Sequence, residues 1–399
     1  MNHVSQNKLA RLQPVAPGER IAALDILRGF ALGGVLLAYT LWNLGSAAES
    51  TYSTLDRALN TLLTALVDTK CYTLLAFLFG LGFALQLRRV GHDIISVYCR
   101  RLLALLLIGL AHALLLRNGD ILVPYAMMGF VLLLFRQASN ATLAVAALGG
   151  LLFPYLARAA VEWTGLPFPQ RPAGDGQGFY AENFAWVRHW YAFGIVNWPA
   201  ALPMFLFGLY AGRRRWFENI SAKRETLGQV ALAGFTVGLL AYANRTWLLT
   251  HWTNSTDSFV KLLSLGLLWS THAWGMAACY VATLMLLLQK PFWQRWLAPL
   301  GAVGRMALTN YLLQAALIVP LCLAFNLFDR VTPSLGLLLA LAVWSLQLPF
   351  SVWWLRRFRF GPAEWVWRSL TYGRLQPMRS SQEINDDCIH PTDTVRNAG

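Results

Sequence analysis

Charged residues are scarce in this sequence. Asp, Glu, Lys and Arg make up 13% of its 399 residues, which is about half the share found in soluble domains. Acidic residues are the scarcer kind, at 19 against 33 basic ones, whereas hydrophobic residues supply 56%. Because the apolar residues are gathered in runs long enough to cross a bilayer, the composition excludes a soluble globular protein and predicts an all-α, polytopic membrane protein.

Cysteines are also few, and their spacing is not typical of a metal site. The five cysteines contain no CxxC pair and mostly lie in apolar surroundings, so they are interpreted as packing residues. The sequence therefore predicts no metal ion and no tightly bound cofactor. The net charge of +14 does not indicate a nucleic-acid partner, because the basic residues are spread over the ends of the hydrophobic runs, where they set membrane topology.

Ten hydrophobic runs predict ten transmembrane helices within a membrane domain of residues 20–355. The polar segment 1–19 predicts a flexible cytoplasmic N-terminus without a cleavable signal peptide. Residues 356–374 are basic and aromatic, which favours an interfacial segment against anionic lipid, and residues 375–399 predict a flexible cytoplasmic tail. The predicted spans are Ile26–Leu44, Cys71–Leu87, Leu102–Leu116, Ile121–Phe135, Ala141–Val161, Ile195–Ala211, Val230–Leu249, Leu262–Leu288, Met306–Phe328 and Ser334–Leu355.

Two further segments are predicted to lie outside the bilayer, and basic residues orient the whole arrangement. Leu55–Val67 has mixed polarity and is expected to lie flat on the far surface, whereas Glu162–His189 is rich in Pro and Gly and predicts an external loop. Of the 33 Lys and Arg residues, 24 fall on one side of the ten-span arrangement. By the positive-inside rule this side is cytoplasmic, so both termini are expected in the cytoplasm and Asp120 outside.

The stretch Arg100–Gly129 is typical of a membrane hairpin with one ionisable residue inside it. His112 interrupts the apolar run, and Asp120 follows at the outer end. An ionisable side chain in a span is costly and is therefore a functional candidate. A carboxylate that accepts the imidazole proton orients the ring and raises its basicity, so His112 and Asp120 are predicted to act as general base and orienting group. Alternatively, His112 bonds a neighbouring helix while Asp120 caps the fourth span or pairs with Arg117.

Three charged residues at the cytoplasmic edge form a second candidate site. Asp25 and Arg28 are three residues apart and share one helix face, and Arg101 begins the third span. This cluster is predicted to hold the phosphates of a nucleotide-type donor, with Arg28 as the fork. The alternative is an ion pair that neutralises itself and fixes the end of the helix.

Several polar residues in or near the spans complete the candidate set. Lys70 opens the second span on the outer side, where it either meets an anionic acceptor or snorkels to the headgroups. Asn310 and Gln314 are four residues apart in the ninth span, so they either join helices or line a substrate pocket. His272 lies inside the eighth span and is the second candidate for a catalytic base.

Five stretches carry a resemblance to a known family. They are RIAALDILRGFALGGVLL at Arg20–Leu37, KCYTLLAFLFGLGFAL at Lys70–Leu85, the Arg100–Gly129 hairpin with its GDIL, GRMALTNYLLQ at Gly304–Gln314, and WLRRFRFGPAEWVWRSLTYG at Trp354–Gly373. Together they resemble the YeiB family of bacterial inner-membrane proteins, whose domain has no known function. The resemblance spans about residues 20–374. The LDILRG opening is also similar to that of membrane acyltransferases that O-acetylate surface polysaccharides.

The wider resemblance implies acyl transfer across the membrane. Acyl-CoA on the cytoplasmic side would be the co-substrate, and a glycan or lipid on the other side would be the acceptor. One departure stands out, because Tyr39 occupies the position near the outer end of the first span where the acyltransferases place His or Asn. If that residue is essential in the acyltransferases, this chain either uses His112 instead or is not an acyltransferase.

Two other classes of function remain open at this point. In a transporter or flippase for an amphipathic metabolite, the same intramembrane polar groups would form a substrate path. In a membrane scaffold they would only join helices. Membrane lipids are expected partners in every case, whereas the acyl group, the acceptor and homo-oligomer formation are not determined by the sequence.

Overall fold

The computed structural model describes residues 21–44, 48–90, 94–116, 120–164, 178–192, 194, 198–218, 220–252 and 258–379. The predicted flexible N-terminus and residues 380–399 of the tail lie outside these ranges. Within them the chain consists of helices, turns and isolated β-bridge residues, such as the pair Phe358 and Arg379, and contains no β-strand. The predicted all-α class is therefore confirmed.

The described residues form fourteen α-helices. Short 3₁₀ segments at Glu49–Thr51, Phe135–Gln137, Trp198–Ala201 and Ile220–Lys223 connect some of them, and a π-helical segment, Tyr39–Asn43, continues the first. The α-helices are α1 Ala22–Ala38, α2 Thr54–Leu66, α3 Lys70–Val90, α4 Ile94–Leu115, α5 Leu122–Leu134, α6 Asn140–Trp163, α7 Phe179–Ala192, α8 Leu202–Arg213, α9 Arg224–His251, α10 Ser258–Leu287, α11 Pro291–Arg305, α12 Ala307–Ala324, α13 Pro333–Arg357 and α14 Pro362–Tyr372.

Long apolar helices identify the chain as a polytopic membrane protein. Among the described residues, seven helical segments are long and apolar enough to cross a bilayer. The count of ten spans and the cytoplasmic location of the termini stay predictions. Below, the end of the bundle that carries Arg28 and Arg101 is called inner and the end that carries Asp120 is called outer. The seven segments are Ala22–Leu41, Thr54–Arg89, Ile95–Leu115, Asn140–Ala157, Arg224–His251, Ala307–Ala324 and Pro333–Arg357.

Two helices form where the sequence predicts none. The predicted external loop, Glu162–His189, is wrong over its second part, because α7 begins at Phe179. Residues 165–177 of that loop lie outside the described part of the chain. Helix α11 is the second addition, between the eighth and ninth predicted spans. It is amphipathic and carries Pro at its first position, which suits a helix start.

Glycines let several helices approach each other closely. A Cβ at Gly29 of α1 would overlap the carbonyl oxygen of Leu300 in α11, and one at Gly80 of α3 would overlap that of Phe205 in α8. These two glycines therefore allow backbone-to-backbone contact between helices. A Cβ at Gly82 of α3, in contrast, would meet only the guanidinium of Arg28, at 3.9 Å, among the described residues.

Helices α12 and α14 cap each other at their N-termini. The Glu364 carboxylate of α14 accepts hydrogen bonds from the backbone N–H groups of Leu308 (2.6 Å) and Thr309 (3.1 Å) in α12. In return, the Thr309 hydroxyl accepts the N–H of Ala363 (3.0 Å) and donates to Glu364. Each cap satisfies helix-start donors that would otherwise lack partners. The GRMALTN and GPAE stretches therefore have a shared structural role.

The basic aromatic segment after α13 packs on protein as well as presenting an apolar face. Trp367 of α14 donates its indole N–H to the carbonyl of Arg101 (2.9 Å). The first residues of the predicted flexible tail are also held, because Arg359 donates its N–H to the carbonyl of Met378 (2.9 Å). Val366 and Leu370 remain exposed on α14, and their contact with lipid stays a prediction.

Candidate functional site

His112 and Asp120 meet at the outer end of the bundle. His112 lies in the last turn of α4, and Asp120 lies just before α5. The Nδ1 atom of His112 is 2.9 Å from Oδ1 of Asp120, and the side chains are only 4% and 0% exposed. These two atoms are close, but their geometry does not meet the criteria of a hydrogen bond. The pair is therefore described as a close polar contact. Such a contact selects the imidazole tautomer that carries its proton on Nδ1 and leaves Nε2 as an acceptor.

Asp120 is held by two further contacts, one of which is itself supported by a third hydrogen bond. Its Oδ2 accepts the backbone N–H of Val123 (2.8 Å), which caps α5. Its Oδ1 accepts the Tyr311 hydroxyl of α12 (3.2 Å), and that hydroxyl in turn accepts the N–H of Ile121 (3.2 Å). The predicted alternatives of orienting group and helix cap are therefore compatible, because each carboxylate oxygen serves one of them.

A small cavity adjoins this pair. Its volume is about 10 Å³, which gives room for roughly one water molecule. Residues of four helices line it, so a molecule larger than water needs the helices to separate. The lining residues are Val35, Tyr39, Tyr72, His112, Tyr311, Gln314 and Ala315.

Tyr39 reaches this cavity from an unusual backbone. It is the first residue of the π-helical segment that continues α1. A π turn is wider than an α turn, and such turns recur at functional sites. Tyr39 therefore faces the His112 cavity with its phenol ring.

Gln314 and Asn310 have different surroundings. Gln314 lines the cavity and donates to the side chain of Gln347 (3.2 Å), whereas Asn310 donates to the hydroxyl of Ser351 (2.9 Å). Gln347 also donates to the backbone carbonyl of Asn310 (2.8 Å). All four side chains are buried. Asn310 therefore joins α12 to α13, and only Gln314 is placed to meet a substrate.

Helix α7 covers the outer end of the site. Asn183 of α7 donates its side-chain amide to the carbonyls of Ala113 (2.8 Å) and Leu114 (3.2 Å), directly beyond His112. Tyr191 of the same helix has a buried hydroxyl and senses the charge of Asp120. Burial raises the pKa of Tyr191, and the negative charge of Asp120 adds to this effect. The helix therefore lies against the outer end of α4, next to the pair of His112 and Asp120.

The inner candidate residues also come together. Arg28 and Asp25 form an ion pair at 2.7 Å. Arg101 donates to the side chain of Gln86 (3.0 Å), stacks on the Trp367 ring at 4.4 Å and is close enough to Arg28 to sense its charge. Its buried Nε has no hydrogen-bond partner, and no acidic residue in the described ranges pairs with it. The cluster therefore carries more positive than negative charge.

Lys70 and His272 do not reach the His112 cavity. Lys70 is fully buried, where its ammonium donates to the carbonyl of Thr64 (2.6 Å) and lies 4.6 Å from the centre of the Trp269 ring. It does not snorkel to the headgroups as one prediction had it. His272 donates from Nδ1 to the carbonyl of Gly238 (2.8 Å) and has no carboxylate partner in the described part of the chain. His112 is therefore the better-placed base.

Comparison with known proteins places the chain in a family. The family model described as a protein of unknown function (DUF418) matches residues 211–374. The uncharacterised protein YxaH of Bacillus subtilis is 33% identical over 417 residues, covering 94% of this chain and all of that protein. The uncharacterised protein YeiB of Escherichia coli is 29% identical over 88% of this chain and 96% of its own. The chain belongs to the YeiB (DUF418) family. No solved structure matches it significantly.

A third relative is similar to this chain over the same share of its length. The uncharacterised 39.9 kDa protein in the amylase 3′ region of Bacillus acidopullulyticus is 33% identical over 94% of this chain and all of that protein. The segment matched by the family model contains Tyr311, Gln314 and the Thr309–Glu364 caps, whereas His112 and Asp120 precede it. The candidate site of this YeiB-family protein therefore joins the two parts of the chain.

Sequence reasoning missed several residues of the site. Tyr311 lies inside the quoted GRMALTNYLLQ stretch, one residue after Asn310, and its hydroxyl in an apolar span was a usable signal. Gln347 and Ser351 were similar signals in the tenth predicted span, four residues apart on one helix face. Asn183 gave no signal, because its segment was interpreted as a loop, and Tyr191 lies between that loop and the sixth predicted span.

Proposed function

We propose that this YeiB-family protein is a membrane-embedded acyltransferase of the bacterial inner membrane. The observation that carries the proposal is the buried contact between His112 and Asp120 beside a cavity at the outer end. The proposed donor is acyl-CoA on the inner side, and the proposed acceptor is a hydroxyl or amine of a glycan or lipid on the outer side.

His112 acts as the general base in this proposal. Its Nε2 atom is buried and has no hydrogen-bond partner among the described residues, so it is able to accept the proton of the acceptor. The acceptor oxygen or nitrogen forms a bond to the thioester carbonyl carbon, and the carbon–sulfur bond breaks. The proton on His112 then passes to the leaving CoA thiolate. Asp120 stabilises the imidazolium between these two transfers.

The surplus positive charge at the inner end suits the phosphates of the donor. Arg101 and His112 lie on the same helix, 11 residues apart, which corresponds to about 16 Å. A long, flexible donor arm bridges this distance, with its phosphates near Arg28 and Arg101 and its thioester at His112. Guanidinium groups match phosphate oxygens because they present paired donors in one plane.

Substrate entry requires movement in this mechanism. The cavity holds about one water molecule, and α7 is held against the end of α4 beside it by Asn183. The acceptor reaches His112 when α7 swings away from the end of α4. Closure afterwards excludes water, which would otherwise hydrolyse the thioester.

Membrane vesicles containing the protein and supplied with radiolabelled acetyl-CoA test the proposal. We expect free CoA to be released in step with transfer of label to a membrane lipid or glycan. The His112→Gln variant should reduce this rate by about 10²–10⁴-fold, as expected for loss of a general base. The His251→Gln variant changes an exposed histidine at the end of α9 and serves as the control.

The same assay separates the other classes of function. A transporter or flippase moves an unmodified solute without release of CoA, and a scaffold does neither. Full transfer activity in a folded His112→Gln variant would disprove the role of His112. If no CoA is released with any membrane extract supplied as the source of acceptor, acyl transfer from acetyl-CoA is disproved.

A further inference from the structure

A second polar cluster lies apart from the His112 cavity. Lys70 opens α3, Arg245 lies near the outer end of α9, and Trp269 lies in α10. The Lys70 ammonium is 4.6 Å and the Arg245 guanidinium 4.4 Å from the centre of the same Trp269 ring. The two cations are therefore no further apart than the sum of these distances. Trp is the aromatic side chain that attracts cations most strongly, but like charges this close repel each other.

The charge of this cluster is only partly neutralised. Asp68 is largely buried and senses the charge of both Lys70 and Arg245. Among the described residues, this one carboxylate offsets one of the two cations and leaves one positive charge in surplus. A surplus charge at low dielectric is costly unless a further partner compensates it.

Several donors in the cluster also lack partners. An ammonium has three N–H groups, and Lys70, which is fully buried, donates one of them to the carbonyl of Thr64. The Nε of Arg245 is buried without a hydrogen-bond partner among the described residues. His272 senses both cations. Buried polar atoms of this kind are normally hydrogen-bonded.

The Arg245 side of the cluster faces outward, whereas Lys70 is buried behind it. Arg245 is six residues from His251, the last residue of α9, which corresponds to about 9 Å along the helix. Its side chain is partly exposed, and most neighbouring residues of α9 face outward. Lys70 is the first residue of α3, so the positive end of that helix dipole adds to the attraction for an anion.

From these observations we propose that Lys70 and Arg245 form a binding site for a phosphate group at the outer ends of α3 and α9. A tetrahedral phosphate offers oxygens to the Arg245 Nε–H and to the remaining Lys70 donors at once. Phosphate groups come from two sources, the headgroup of an anionic lipid or a free phosphate monoester. The site does not depend on acyl transfer at His112.

Purified protein in a maltoside detergent tests the proposal. The probes are short-chain phosphatidylglycerol, glycerol 3-phosphate and inorganic phosphate, with uncharged diacylglycerol as a blank. We expect at least one phosphate probe to raise the melting temperature in a saturable way. Binding should weaken about tenfold or more in Arg245→Gln, because a hydrogen bond to a charged group is lost. Arg245→Lys should keep part of the affinity.

Control variants make the outcome decisive. Arg330→Gln removes an exposed arginine between α12 and α13 and should bind as the wild type does. Response to the lipid alone identifies a headgroup, and equal response to the free phosphates identifies a soluble ligand. Either result supports the site if Arg245→Gln loses it. The proposal is overturned if no phosphate probe shifts the melting temperature of the wild type, or if Arg245→Gln responds as strongly.

Discussion

The Nδ1 atom of His112 lies 2.9 Å from Oδ1 of Asp120, although His112 ends one helix and Asp120 precedes the next. The second oxygen of Asp120 is already committed to the N–H of Val123 at the start of α5. The carboxylate therefore cannot turn away from the ring without breaking a helix cap. The hydrogen bond that caps α5 therefore also fixes the orientation of the Asp120 carboxylate relative to the His112 ring.

The first prediction concerns this pair as a unit. Asp120→Asn should lower the rate of acyl transfer, because an amide stabilises the imidazolium less than a carboxylate does. The double variant His112→Gln/Asp120→Asn should be little slower than His112→Gln alone, because the two residues act together. Single-turnover rates of the four proteins measure the coupling. Multiplicative losses would show that Asp120 acts only as a helix cap.

Tyr311 offers a test of positioning from a distant helix. Tyr311→Phe removes the donor to Asp120 and the acceptor for Ile121 while it preserves the ring. We expect kcat to fall about tenfold with KM nearly unchanged, since the contact orients a reacting group and binds no substrate. Tyr180→Phe, at an exposed tyrosine of α7, is the matched control. A higher KM with unchanged kcat would instead assign Tyr311 to substrate binding.

Part of this site follows from the sequence because local geometry enforces it. His112 and Asp120 flank one hairpin turn, so a short connection brings them together whatever the rest of the chain does. Tyr311 follows His112 by almost 200 residues, and only tertiary packing brings its hydroxyl to Asp120. The sequence marks Lys70 as important for its position, but its neighbours Trp269 and Arg245 depend on how α9 and α10 pack against α3.

Hydropathy explains which helices the sequence reveals. Long apolar runs are visible because the bilayer selects for them. Helix α11 has an apolar face for packing on α1 and a polar face with Arg295, so its average composition resembles a loop. Helix α7 mixes aromatic and polar residues for the same reason, since it covers the bundle end instead of crossing lipid.

Gly109 gives a prediction about space beside the carboxylate. A Cβ at this position would lie 2.8 Å from Oδ2 of Asp120 and 2.9 Å from Cβ of Leu122. Gly109→Ala should therefore push Asp120 away from His112, lowering the stability by about 1–3 kcal/mol and slowing acyl transfer. Thermal unfolding and the transfer assay measure the two effects.

The control for Gly109 is another helical glycine. A Cβ at Gly228 of α9 has nothing within 4 Å, so Gly228→Ala should leave activity unchanged. It should raise the stability slightly, by up to about 1 kcal/mol, because Ala favours a helix. If Gly109→Ala and Gly228→Ala had equal stability and equal transfer activity, Asp120 would have room to accommodate the added methyl group.

The reciprocal caps of α12 and α14 predict a coupled loss of stability. Glu364→Ala leaves the N–H groups of Leu308 and Thr309 without acceptors, and Thr309→Val leaves that of Ala363. Each should cost about 1–2 kcal/mol. Because the two side chains also bond each other, the double variant should lose less than the sum. Melting temperatures of the four proteins measure this, and additive losses would mean that the caps are independent.

The last prediction concerns the inner cluster, where Arg101 has no acidic partner among the described residues. If Arg28 and Arg101 hold the donor phosphates, Arg101→Gln should weaken acyl-CoA binding about tenfold or more, since charged hydrogen bonds are lost. Glutamine keeps a donor toward Gln86, so the fold should survive. Arg28→Ala should weaken binding in the same direction. Its effect on stability is separate, because it also leaves Asp25 without its ion-pair partner.

Titration calorimetry with CoA and with dephosphorylated CoA tests whether Arg28 and Arg101 bind the donor phosphates. Arg295→Gln changes an exposed arginine of α11 and should bind both as the wild type does. If Arg101 contacts a phosphate, the variant should discriminate less between the two compounds, because the discriminating contact has been removed. The proposal is wrong if both folded variants, Arg101→Gln and Arg28→Ala, bind the two compounds with wild-type affinity. Arg101 would then only pack on Trp367, Arg28 would only pair with Asp25, and the inner end would not hold the donor.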